Sequence, residues 1–127
     1  MPHITFEYSA NLEPDLDVGA LCDALRLAAI ETTVFPVAGI RVRALRADHY
    51  SIADGQALHG FIDIGVRLRG GRDLDTRKAA SGHIFEAARA FVAPLMDRRS
   101  VALSLEMRNI DPELSPKSGN IREYLAT

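Results

Sequence analysis

The chain repeats itself, and the repeat limits its possible folds more than any other feature of its 127 residues. Residues 2–8 alternate, with Ile4, Phe6 and Tyr8 opposite His3, Thr5 and Glu7, the period-two signature of a half-buried strand. Residues 61–68 do the same, with Ile62, Ile64, Val66 and Leu68 opposite Phe61, Asp63, Gly65 and Arg67. Each run leads through a polar turn to Asp-Leu-Asp, at Asp15-Leu16-Asp17 and Asp73-Leu74-Asp75, which are 58 positions apart (73 − 15). The strand residues keep that offset, pairing Ile4 with Ile62, Phe6 with Ile64 and Tyr8 with Val66.

Helical spacing follows each Asp-Leu-Asp. Val18, Leu21, Leu25 and Ala28 predict a helix from about Asp15 to about Glu31. Ile84, Ala88, Phe91 and Leu95 predict a second from about Asp73 to about Arg98, with Pro94 kinking it or marking its last turn. Acidic residues at both starts suit the helix dipole. A return strand follows each helix. Ile40, Val42 and Ala44 oppose Arg41 and Arg43, and Val101, Leu103, Leu105 and Met107 oppose Ala102, Ser104 and Glu106.

The plan is therefore β-α-β twice, an α/β (α+β) two-layer sandwich of four main strands with two helices on one face. It is read as one domain over residues 1–127, with units at about 2–46 and 60–108 and a tail at 109–127. In the joiner, Ala53-Asp54-Gly55-Gln56 reads as a turn that closes a short hairpin with His49–Ile52. The tail carries Pro112, Pro116 and Gly119 before a single helical turn at about Asn120–Leu125. The face away from the helices would show His3, Thr5, Glu7, Arg41, Arg43, Asp63, Ser104 and Glu106. Such a polar face suits solvent, a subunit contact or the lining of a wet central space.

A net charge of −2 gives no reason to expect nucleic-acid or anionic-membrane binding. No apolar run approaches the roughly 18 residues of a membrane span, and the start lacks the pattern of a signal peptide. A cytoplasmic protein is the expectation. The lone Cys22 cannot form an intrachain disulfide and reads as a small helical core residue; Met96 and Met107 also read as core. The four histidines lack the spacing of a metal-ligand set. Of the 15 basic residues, only Lys78 and Lys117 are Lys. Arginine is the better fork for a carboxylate, although a GC-rich genome would give the same skew.

Three positions carry candidate chemistry. Pro2 follows the initiator Met, and removal of Met1 before a small residue would leave a secondary amine able to accept a proton. Arg41 projects from the polar side of a strand just after the Pro36 and Gly39 turn, as a solvated strand residue or an anion ligand. Arg72 closes Arg69-Gly70-Gly71-Arg72 at a strand-to-helix junction, which is either a plain turn or an anion-receiving one.

Taken together, Pro2-His3, the run FPVAGIR at 35–41, ADGQ at 53–56, GGR at 70–72 and ALSLEM at 102–107 resemble the 5-carboxymethyl-2-hydroxymuconate isomerase family of the tautomerase superfamily. The resemblance covers essentially the whole chain, with the motifs in order. Departures are Val37 for Leu, Gly70 for Ala, and Arg108-Asn109-Ile110-Asp111 for a more acidic stretch. The resemblance implies a homotrimer and cofactor-free isomerisation of a polycarboxylate dienol from homoprotocatechuate (4-hydroxyphenylacetate) catabolism. It assigns the base role to Pro2 and the carboxylate-holding roles to Arg41 and Arg72. Two rival readings are a tautomerase for phenylpyruvate-like keto acids and a non-catalytic βαβ-repeat binding module.

Overall fold

The computed structural model describes residues 2–126. Four strands, β1 (His3–Ser9), β2 (Arg41–Ala47), β3 (His59–Arg69) and β4 (Ser100–Ile110), form one sheet in the order β2-β1-β3-β4. Helices α1 (Val18–Glu31) and α2 (Leu74–Met96) pack together on one face. Each β-α-β unit holds a parallel pair, β1 with β2 and β3 with β4, and the two units join through the antiparallel pair β1 and β3.

The register makes the repeat a near-twofold in space. Phe6 and Ile64, equivalent by sequence offset, lie directly opposite each other, while Ile4 faces Val66 and Tyr8 faces Ile62. All six are buried against Leu21, Leu25, Ile84, Ala88 and Val92 of the helices. Alternation favours this result: with period-two side chains, a slip of one residue would turn the apolar residues of one strand away from the helices.

The start of α1 differs from the periodicity, whereas that of α2 follows it. The first Asp-Leu-Asp does not begin its helix; Ala10–Asp15 forms a 3₁₀ helix containing Pro14, Leu16 is extended, and Asp17 caps α1 through the Ala20 N–H at 3.0 Å. In the second unit the first Asp of the motif is the cap, with Asp73 accepting from the Thr76 N–H at 2.7 Å. The motif is repeated, but its capping carboxylate shifts by two residues, because the 3₁₀ helix takes up chain in the first unit only. Pro94 falls in the last turn of α2, and Leu95 takes the inward position there. Met96, expected in the core, is therefore exposed, whereas Met107 is half-buried against the core.

The predicted hairpin at His49–Ile52 is absent; residues 48–58 contain no strand. Asp54 closes the turn instead, accepting from the Gln56 amide N–H and side chain and contacting His59 Nε2 at 2.7 Å. His59 Nδ1 reaches Ser100 Oγ at 2.8 Å, so one imidazole links the turn to the starts of β3 and β4. A side chain satisfies the turn, and the antiparallel neighbour that a hairpin would have supplied to β3 is β1.

Where Leu12 of the 3₁₀ helix crosses β3, only glycine fits. A Cβ on Gly60 would stand 2.5 Å from Leu12 Cδ2 and 2.8 Å from Cγ, and Leu12 is itself fully buried. Gly60→Ala is expected to lower stability by about 1–3 kcal/mol, the usual cost of overpacking. Thermal unfolding at matched protein concentration checks this, and an unchanged midpoint would mean that Leu12 moves aside freely.

Candidate functional site

Pro2 is fully buried at the start of β1, and its carbonyl accepts the Arg41 N–H at 3.3 Å. That bond continues the parallel β1–β2 ladder, in which His3 is the partner of Arg41. The turn before β2 is rigid for a local reason. Pro36 cannot continue a helix, and the 3₁₀ turn Val37–Gly39 closes with Gly39 N–H to Pro36 O at 2.9 Å. The sequence motif around Arg41 thus forms one wall of a cleft of about 490 Å³, lined by Pro36, Ala38, Gly39 and Arg41. Residues 117–123 of the tail form the opposite wall.

Arg72 lies behind this wall. Its Nη1 donates to Arg69 O at 3.1 Å and its Nη2 to Val34 O at 3.0 Å, with the guanidinium carbon 5.6 Å from the centre of the Phe35 ring. It therefore ties the segment leading into Pro36 to the β3–α2 turn. Two of its five N–H donors are used in this way. The two glycines before it serve the turn: Gly71 has φ +118°, and the Gly70 N–H goes to Ile110 O at 3.2 Å. Arg72 lines neither the Arg41 cleft nor the one beside it.

That neighbouring cleft, of about 360 Å³, lies on the polar side of the sheet. Its walls include His3, Arg67, Arg69 and Lys117, so Lys117 borders both clefts. The register explains the crowding of cations. Arg41, His3, Arg67 and Arg108 are successive cross-strand partners, a basic row running across all four strands beside Pro2. Two rows further along, Glu7 and Asp63 are partners, with Ser104 donating to Asp63 at 2.8 Å. The sheet face is thus positive at the Pro2 end and negative beyond it. Burial, followed by the charges of Arg41, Arg67 and Arg43, holds the His3 imidazole below its usual range and favours the neutral ring.

Of the predicted positions, Pro2 and Arg41 are brought together, and Arg72 is joined to their wall through Val34 and Phe35. Met1, whose removal the proton-acceptor reading requires, lies outside the described residues. Sequence patterning assigned no role to the tail, because residues 111–120 have no periodicity to read; its one visible clue was Lys117, one of only two lysines. Cys22 is half-buried on α1, and burial raises its thiol above the ordinary value. Among the described residues no group of three or more His, Cys, Asp or Glu could hold a metal ion, and no helix is long and apolar enough to cross a membrane.

Comparison with known proteins places the whole chain in a family. A curated Escherichia coli 5-carboxymethyl-2-hydroxymuconate Delta-isomerase is 33% identical over 121 residues, 95% of this chain and 96% of that one. A solved 5-carboxymethyl-2-hydroxymuconate delta-isomerase superimposes with a TM-score of 0.92 at 34% identity, covering 100% of this chain and 94% of that chain. The corresponding isomerase from Deinococcus radiodurans R1 gives 0.90 at 28% identity, with 98% and 95% covered. The fold alone is shared with a fused 4-OT solved as a symmetric trimer, at a TM-score of 0.67 and 16% identity over 91% and 93% of the two chains. The family model described as 5-carboxymethyl-2-hydroxymuconate isomerase matches residues 2–125, and the chain belongs to that family.

Proposed function

We propose that the protein isomerises 5-carboxymethyl-2-hydroxymuconate without a cofactor, using the free amine of Pro2 as proton acceptor and donor. In this reading Pro2 takes the proton of the 2-hydroxyl group, whose electron pair forms the carbonyl as the conjugated double bonds shift. The proton then returns to carbon, giving the oxo-ene isomer with no net gain or loss of atoms. Arg41 and Arg72 hold carboxylates of the substrate and stabilise the negative charge that develops on the dienolate. The reaction belongs to homoprotocatechuate breakdown in the cytoplasm.

The observation that carries this reading is the Arg41 N–H bond to Pro2 O, which seats Arg41, a residue of the cleft wall, on the strand beside Pro2. A homotrimer is part of the proposal. Strands β2 and β4 are both sheet edges, and a closed assembly would protect them while covering the polar face. The one-domain reading of residues 1–127 fits a subunit of that kind.

The test is an absorbance assay of the dienol on protein whose intact mass shows Met1 removed, with light scattering on the same sample. Turnover by a species of three times the chain mass is the expected result. Turnover only of phenylpyruvate-like keto acids would assign a different tautomerase. Binding without turnover would assign a ligand-binding module.

A further inference from the structure

Cations and carboxylates are not evenly matched over this molecule. Arg26, Arg46, Arg89, Arg98, Arg99 and Arg108 each have a carboxylate within 4 Å. Among the described residues, Arg67, Arg69 and Lys117 have none; Arg43, Arg72, Arg77, Lys78 and Arg122 also lack one, but Arg67, Arg69 and Lys117 are the three that line one 360 Å³ cleft together. No Asp or Glu lines that cleft. Like charges gathered in one concave space repel each other, and low-dielectric walls strengthen the field there. Such a cluster is relieved by an anion.

The cleft also has a definite relation to the site described above. His3, on its wall, directly follows Pro2 in the chain, and Lys117 lines both this cleft and the Arg41 cleft. The imidazole adds no neutralising charge, and its buried Nδ1 has no hydrogen-bond partner among the described residues. One ligand can therefore extend from the Arg41 cleft past Lys117 and carry a carboxylate into the second.

We propose that the cleft bounded by Arg67, Arg69 and Lys117 is an anion subsite that takes a third carboxylate of the substrate, with Arg67 and Lys117 as its ligands. This rests on the isomerase reading for its substrate, since 5-carboxymethyl-2-hydroxymuconate carries three carboxylates and, of the two arginines in that reading, only Arg41 lines either cleft. The subsite makes the enzyme selective for tricarboxylates over dicarboxylates of the same chain length.

The experiment uses the full, processed protein and two unreactive probes, propane-1,2,3-tricarboxylate and glutarate, titrated calorimetrically at one fixed ionic strength. The parent should bind the tricarboxylate roughly tenfold or more tightly, the effect of one charge-assisted contact. Arg67→Ala and Lys117→Met should each erase most of that preference, and Arg67→Lys should restore part of it. If Arg67→Ala fails to fold, Lys117→Met on the exposed tail gives the same answer. A parent with no preference, or variants that keep it, would overturn the subsite. Parallel isomerase kinetics separate the two readings. Selective binding without turnover would leave the subsite standing and refute the isomerase, whereas turnover without selective binding would do the reverse. With both intact, Arg67→Ala should raise KM for the tricarboxylate more than it lowers kcat, which a merely structural role would not produce.

Discussion

Protein that keeps Met1 ahead of Pro2 should lose isomerase activity by a factor on the order of 10²–10⁴, the usual contribution of a positioned general base. The reason is electronic. In a Met1-Pro2 peptide the proline nitrogen is an amide whose lone pair is delocalised into the carbonyl, so it cannot take a proton. After processing it is a secondary amine, and the neighbouring cations favour its neutral form. Any residue added before Pro2 should act like a retained Met1. Pro2→Ala leaves a primary amine after processing and should be impaired rather than dead, with its pH profile displaced. In the parent, kcat/KM should fall on the acid side as the amine becomes protonated. The measurements are intact mass beside initial rates across pH. Full activity in an unprocessed chain would exclude the mechanism, and so would an acid limb that stays in place when Pro2 is replaced.

Arg41→Ala and Arg72→Ala should each lower kcat/KM by about ten- to a hundredfold, from the loss of a charge-assisted contact of roughly 1.5–3 kcal/mol. Their structural consequences should differ. Arg41 stands on the polar side of β2, and its alanine variant should keep the fold. Arg72 also bonds Val34 O and Arg69 O and covers the Phe35 ring, so its removal leaves two carbonyls without these donors and loosens the wall behind Pro36. Arg72→Ala should therefore unfold at a lower temperature than the parent, as well as react more slowly. Kinetics equal to the parent for both variants would remove the two arginines from the site. A slow Arg72→Ala that regained its rate when the wall was stabilised by other means would recast Arg72 as a positioning residue.

How much of this was legible in the sequence depended on how local the determining physics is. Side-chain alternation in residues 2–8 and 61–68 is imposed by the pleat, and the 3–4 spacing of Leu21, Leu25 and Ala28 by the helix, so elements and core could be read directly. The duplicated pattern implied two like units. The motif around Pro36 and Gly39 marked a tight turn, because those residues restrict or free the backbone wherever they occur. The two Asp-Leu-Asp runs are identical in sequence, yet they cap their helices from different positions. The 3₁₀ helix that causes this is settled by Leu12 packing over Gly60, 48 positions further on (60 − 12).

Residue pattern alone thus determined a tandem β-α-β sandwich, its buried face and Pro2, Arg41 and Arg72 as candidates. Tertiary structure alone decided that β1 and β3 are antiparallel neighbours, which aligns Arg41, His3, Arg67 and Arg108 into one basic row. It also brought Lys117 to the same cleft as His3. The physical reason is that strand order and tail docking are settled by contacts between segments far apart in the chain. Such contacts leave no period in either segment, and the cleft they enclose exists only once the sheet has formed and the tail has docked.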